Sequence, residues 1–179
     1  MTTAFIAIAV IVAAILLYAA TKPSSFRVSR TANIAAPPAR IFPFVNNLAD
    51  HSKWSPFARD PKINNKVSVP AEGTGARVDF DGSCAGSLAI TDSAPPSRIE
   101  MRLMMTKPMK ADNQVEFGFV PYSGNSTDVT WTMSGAQPYL GKLMSVFINC
   151  DKMVGKQFER GLADLKSLVE TQTTLRAAE

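Results

Sequence analysis

PYLGKLMSVFINCDKMVGKQFERGLADLKSLV, residues 138–169, is the stretch on which the fold turns. Leu140, Met144, Phe147, Val154, Phe158, Leu162, Leu165 and Val169 recur at helical spacing, and Lys142, Asn149, Lys152, Lys156 and Arg160 occupy the other side. Apolar residues three and four apart share one face of a helix, and that face must be buried against a partner. The spacing predicts a long amphipathic helix from about residue 138 to residue 169.

The partner lies upstream. Runs at 63–69, 76–81, 83–92, 98–105, 113–120 and 128–134 read as strands, several with one apolar face. Met101, Leu103 and Met105 alternate with Arg102. Val115, Phe117 and Phe119 alternate with Gln114 and Glu116, and Val129, Trp131 and Met133 with Thr130 and Thr132. Period-two alternation describes an antiparallel sheet that needs a cover on one side. Asp81-Gly82 and Gly124-Asn125 supply hairpin turn chemistry, and Pro95-Pro96 and Pro108 fall between strands. Further upstream, 26–34 reads as another strand, with Phe26, Val28 and Ile34 set against Arg27 and Arg30. Pro38 to Leu48 reads as a short helix and 50–57 as a helical turn carrying Trp54. The class is α+β: a curved antiparallel sheet wrapped on a long C-terminal helix, the helix-grip arrangement.

Ala4 to Ala20 is seventeen consecutive apolar residues. As a helix it would reach about 26 Å, close to the thickness of a thin bilayer. A secretory signal needs a basic start and small residues before the cleavage point, but Met1-Thr2-Thr3 is uncharged and Tyr18 falls at −3. A core helix would keep a polar face, and this run has none. One uncleaved transmembrane helix fits best. Lys22, Arg27 and Arg30 follow it, which places the domain on the cytoplasmic side of the cell membrane, single-pass. In that compartment Cys84 and Cys150 are expected as free thiols. The organisation is an anchor at 1–21, a linker at 22–25, the domain at 26–171 and a tail at 172–179.

The chain has 179 residues, 46% hydrophobic and 19% charged, and a formal charge of +4. All of that excess comes from Lys22, Arg27, Arg30 and Arg40; from Asp50 onward fifteen basic residues balance fifteen acidic ones. The body of the domain is neutral, which argues against a nucleic-acid surface. Two cysteines and one histidine do not make a disulfide framework or a histidine-rich metal site. No phosphate-binding loop or hydrolase elbow is present, and no cofactor is expected.

Asn33-Ile34-Ala35-Ala36-Pro37-Pro38, Phe42-Pro43-Phe44-Val45-Asn46, Trp54-Ser55-Pro56-Phe57, Val129-Thr130-Trp131-Thr132-Met133, Asp151-Lys152-Met153-Val154-Gly155 and Phe158-Glu159-Arg160-Gly161-Leu162 occur in that order. In order and spacing they resemble the START-like superfamily, SRPBCC or polyketide cyclase/dehydrase type, in its membrane-anchored bacterial form. Relatives often carry an acid soon after the Trp-Ser-Pro-aromatic run, and this chain has Ala58-Arg59 there. The resemblance implies an elongated apolar cavity between sheet and helix for a lipid, a polyketide-like molecule or an isoprenoid, without fixing one activity.

The residues expected at that cavity are Trp54, Phe57, Phe80, Met101, Leu103, Phe117, Phe119, Trp131, Met133, Met144, Phe147, Asp151 and Phe158. Eight methionines suit an adaptable pocket. Gly155 and Gly161 each cost the helix about 1 kcal/mol relative to Ala, which implies close packing or room for a ligand. Asp151 projects into the apolar stripe. It reads either as a polar anchor or acid at the cavity wall, with burial raising its pKa, or as the cap of a second helical half. His51, the sole histidine, reads as a surface residue or as an acid/base at the cavity mouth. Asp151 and His51 are the weak catalytic candidates, and no metal site is expected. The function implied is a membrane-anchored module that binds a hydrophobic small molecule. The alternatives are a cyclase or dehydratase and a ligand-free interaction or chaperone-like domain.

Overall fold

A computed structural model describes residues 2–147 and 149–177. The chain runs α1 (Thr2–Ala20), β1 (Ser25–Ile34), α2 (Pro38–Asn46), a 3-10 turn at Leu48–Asp50 and α3 (His51–Trp54). It continues with β2 (Ile63–Val67), β3 (Arg77–Gly82), β4 (Ala85–Ala94), β5 (Arg98–Lys107), β6 (Ala111–Tyr122), β7 (Ser126–Ala136), α4 (Tyr139–Phe147) and α5 (Cys150–Ala177). The seven strands form one antiparallel sheet in the order β1-β7-β6-β5-β4-β3-β2. It is the helix-grip fold: β1 leaves the N-terminal edge and pairs with the last strand, and α5 lies across the inner face.

Alternation decides which residues face inward. On β7, Val129 and Trp131 are buried, and on β6 Asn113, Val115, Phe117 and Phe119. The outer face is a polar ladder in which Ser29 bonds Thr132 (2.8 Å), Thr31 bonds Thr130 (2.9 Å) and the Asn33 amide donates to Asp128 (2.7 Å). Cross-strand polar pairs of this kind stabilise the solvated face of a sheet. Arg30 sits on the inner side with Val28 and Ile34, contrary to the alternation that grouped it with Arg27.

Three other expectations change. The 138–169 helix is two helices: Asn149 accepts from the Lys152 amide (2.9 Å) and caps α5, so the cap falls on Asn149 and not on Asp151. An asparagine here satisfies a first-turn amide and lets the chain turn. Asp81-Gly82 ends β3 and does not make a two-residue turn, because the ladder resumes at Phe80↔Gly86. Gly124 (φ 70°) and Asn125 (φ 63°) do make a tight turn, closing β6 onto β7 at Tyr122↔Ser126. As for the anchor, among the described residues no helix is long and apolar enough to cross a membrane. α1 nevertheless leaves Phe5, Ile6, Ile8, Val10, Ile11 and Leu17 exposed, and it packs against α4 instead of the sheet.

α5 packs chiefly on β1, with smaller contacts to α3, α2 and β7, and α2 touches β6. No helix packs extensively over β2–β5 among the described residues. On the inner face Ile90, Ile99 and Met101 of β4 and β5 are buried with the core, while Leu88 and Leu103 further along the same strands are only partly covered.

Candidate functional site

The buried centre of the inner face is filled. Trp131 stacks on Phe158 (centroids 4.1 Å apart, planes within 7°), lies 4.9 Å from Phe117 and meets Trp54 edge-on at 5.5 Å. Trp54 donates its indole N–H to the Phe44 carbonyl (3.0 Å). Trp54, Met101, Phe117, Phe119, Trp131 and Phe158 are all buried. Phe57 closes one side against Trp131 and Phe158 while remaining 44% exposed. Aromatic surfaces this close leave no room for a ligand among them.

The two helix glycines bring the layers together. A Cβ at Gly161 would stand 2.8 Å from the Trp131 ring and 3.0 Å from Pro56 Cδ, and a Cβ at Gly155 would collide with the Arg30 guanidinium. Both serve close packing.

Arg30 holds the start of α5 to β1. Its Nε donates to Glu159 (2.7 Å), and Nη1 and Nη2 donate to the two Asp151 carboxylate oxygens (3.2 and 3.0 Å). The guanidinium also bonds the Asp151 and Ser29 carbonyls (3.2 and 2.8 Å). Five directed donors suit this forked arrangement. The hydrogen bonds and charge of Arg30 hold the Asp151 carboxyl below its ordinary 3.8, the reverse of the rise expected from burial. Asp151 is exposed and neutralised by its partner.

His51 is also not where the sequence suggested. It is buried, 4.9 Å from Trp54, and its Nε2 lies 2.8 Å from the Val45 carbonyl. A carbonyl only accepts, so Nε2 carries the proton. Burial pulls its pKa from 6.5 down to about 4, against the opposing pull of the Val45 carbonyl and Asp50. Both acid/base candidates are thus committed to structure, and they stand in different parts of the fold.

The partly covered end of the inner face is read from the strand registers. Leu88↔Leu103, Leu103↔Asn113, Asn113↔Gly135 and Gly135↔Phe26 define one transverse inner row. It lies four residues along the strands, two inward-facing rows, from the Arg30–Trp131 row that α5 covers. Leu88, Leu103 and Phe26 are half-buried, as are Phe80, Met105 and Met133 near them. Asn113 is the polar member: it is 6% exposed and its amide oxygen has no hydrogen-bond partner among the described residues. It sits where Gly135 leaves space, since a Cβ there would strike the amide. The Trp131 indole N–H is likewise buried without a partner. Met144 is exposed on α4; the Phe147 side chain lies outside the described residues. Among the described residues no cluster of His, Cys, Asp and Glu could hold a metal.

Residues 25–170 match the family described as polyketide cyclase / dehydrase and lipid transport. The chain belongs to this family. The likeness extends to solved structures of low identity, which share the fold. A Chromobacterium violaceum protein is 19% identical with a TM-score of 0.59, covering 83% of this chain and 99% of its own. A Rhodobacter sphaeroides protein is 16% identical with a TM-score of 0.61, covering 84% and 95%. The Aha1 dimer of Colwellia psychrerythraea is 17% identical with a TM-score of 0.59, covering 81% and 96%. No curated protein matches.

Arg30, Phe26, Asn113 and Gly135 were not among the predicted site residues. The signal for Arg30 and Asn113 was parity: each is a polar residue at an inward position of an otherwise apolar alternation.

Proposed function

We propose that this polyketide cyclase/dehydrase-family domain binds a hydrophobic small molecule on the partly covered end of its inner face. The ligand lies along the Leu88–Leu103–Asn113–Gly135–Phe26 row. The observation that carries the reading is that Leu88, Leu103 and Phe26 are only half-buried, with no helix packed extensively over β4 and β5, around one buried amide oxygen without a partner among the described residues. A site of this kind takes a mostly apolar molecule with one or two polar groups, and the Asn113 amide would meet a hydroxyl, acid or amide donor. Lipids, polyketide-like molecules and isoprenoids all have that character. The structural commitments of His51 and Asp151 favour binding over acid/base turnover by either.

The reading includes a membrane tether. α1 exposes apolar side chains from Phe5 to Tyr18 and has no charged residue. Water penalises such a surface at about 25 cal/mol per Å², and a bilayer would cover it. Lys22 and Arg27 directly after α1 favour attachment to the cytoplasmic face, where basic residues meet anionic headgroups. Retention of the chain in membranes through alkaline carbonate washing supports the tether, and release contradicts it.

A fluorescent fatty-acid analogue titrated into the full chain in neutral detergent tests the site. Saturable binding that Leu103→Asp weakens at least tenfold is expected; binding that is unsaturable or indifferent to that substitution contradicts the site. The filled aromatic centre favours a second reading, an interaction domain without a ligand, which a flat titration would support.

A further inference from the structure

A cavity of about 260 Å³ opens where α1 hands over to β1, beside Ser145 of α4 and Asn149 and Asp151 at the start of α5. Phe26 belongs both to the lining of this cavity and to the transverse row. The chemistry of the cavity is different. Lys22 and Arg27 line it, and Arg27 has no ion-pair partner among the described residues. The Lys22 ammonium rests over the Tyr18 ring, 4.6 Å from its centroid, a contact that leaves its three N–H donors available.

One acid lines the same space, Asp151, and its carboxylate is bridged by Arg30. The lining is therefore net positive. Asn149 and Gln137 add amide donors: Asn149 spends its oxygen on the Lys152 amide and keeps its NH₂, and Gln137 uses one N–H on the Gly141 carbonyl (3.2 Å). Two cations and two amides around a small space suit a phosphate, which has one negative charge as a diester and several acceptor oxygens. At ~30 Å³ per water the space equals about nine waters, enough for a phosphate and its substituent.

Position argues for the source. The cavity follows directly on the last turn of α1, beside α4, whose Tyr139 hydroxyl donates to the Leu16 carbonyl (2.9 Å) and whose Leu140 and Met144 are exposed. Apolar surface thus adjoins the cationic cavity, in the order of an acyl chain and its headgroup.

We propose that the α1–β1 junction cavity is a phosphate-binding site that takes the headgroup of an anionic phospholipid, with Lys22 and Arg27 as the charge partners. The lipid source rests on the membrane tether and apolar row of the proposed function; the phosphate chemistry rests on the cavity alone.

The full chain in neutral detergent, titrated calorimetrically with dihexanoylphosphatidylglycerol, dihexanoylglycerol and inorganic phosphate, separates these. Saturable phosphatidylglycerol binding is expected, at least tenfold tighter than dihexanoylglycerol and weakened tenfold or more in Lys22→Ala/Arg27→Ala. Arg40→Ala, an exposed cation on α2, should leave it unchanged. Inorganic phosphate binding as tightly as the lipid upholds the site and assigns it to free phosphate. Phosphate-dependent binding with no affinity for dihexanoylglycerol upholds the cavity while removing the apolar row. Equal binding of the two lipids, unaffected by the double substitution or by its Glu counterpart, overturns the proposal.

Discussion

The Arg30 guanidinium occupies the space that a side chain at Gly155 would need. The strand edge and the long helix are therefore set against each other by an arginine on one and a missing Cβ on the other. Gly155→Ala gains about 1 kcal/mol of helix propensity but overpacks the contact, which costs about 1–3 kcal/mol. We expect net destabilisation in the native chain. In an Arg30→Ala background the clash is gone, so the same Gly155→Ala change should become stabilising. Chemical denaturation of the four proteins of this cycle reads the reversal; additivity would contradict the contact.

His51 makes stability pH-dependent. Its folded pKa of about 4 lies below the unfolded 6.5, so the unfolded chain takes up the proton first. Stability is then full above pH 6.5 and falls as pH drops towards 4, by at most about 1.4 kcal/mol per unit and about 3 kcal/mol in all. His51→Gln, which keeps an N–H donor for the Val45 carbonyl, should flatten that window. Asp151 acts lower: its carboxyl is depressed by Arg30, so its contribution is present above 3.8 and lost as pH falls through its folded value. Unfolding midpoints measured from pH 7.5 to 2 check both signs.

Removing the stacked partner of Trp131 should open the buried centre. Phe158→Ala deletes a ring that is 1% exposed, and such deletions cost about 3–5 kcal/mol. We expect a lowered midpoint and red-shifted tryptophan emission. An unshifted spectrum would mean that the rings do not stack as described.

Asn113→Leu separates stability from binding. A buried amide oxygen without a partner costs about 1–3 kcal/mol, so a leucine of similar size should leave stability unchanged or raised. Ligand affinity should fall nonetheless, since the polar contact is lost. A destabilised variant with unaltered binding would assign the amide a structural role instead.

The sheet and its helix were legible because alternation and helical spacing report which side of an element is apolar. Trp131, Phe117 and Phe158 were found this way, but periodicity cannot tell a residue that lines a cavity from one that fills it. Gly155 and Gly161 marked close approach without naming Arg30, Trp131 or Pro56 as the groups that approach. His51 looked like a surface residue because its partner is a backbone carbonyl six residues away, a bond that leaves no mark in side-chain chemistry. The transverse row escaped because Leu88, Leu103, Asn113, Gly135 and Phe26 belong to five strands and meet only through register.

The most direct test of the binding account is to find where a ligand touches the chain. A photoactivatable alkyl-diazirine fatty acid, crosslinked to the full-length protein and mapped by peptide mass spectrometry, should label β4, β5 and the start of β1, around Leu88, Leu103 and Phe26. Excess unlabelled fatty acid should suppress that labelling. Labelling confined to α1, or labelling that excess ligand leaves unchanged, would contradict a ligand site on the inner face.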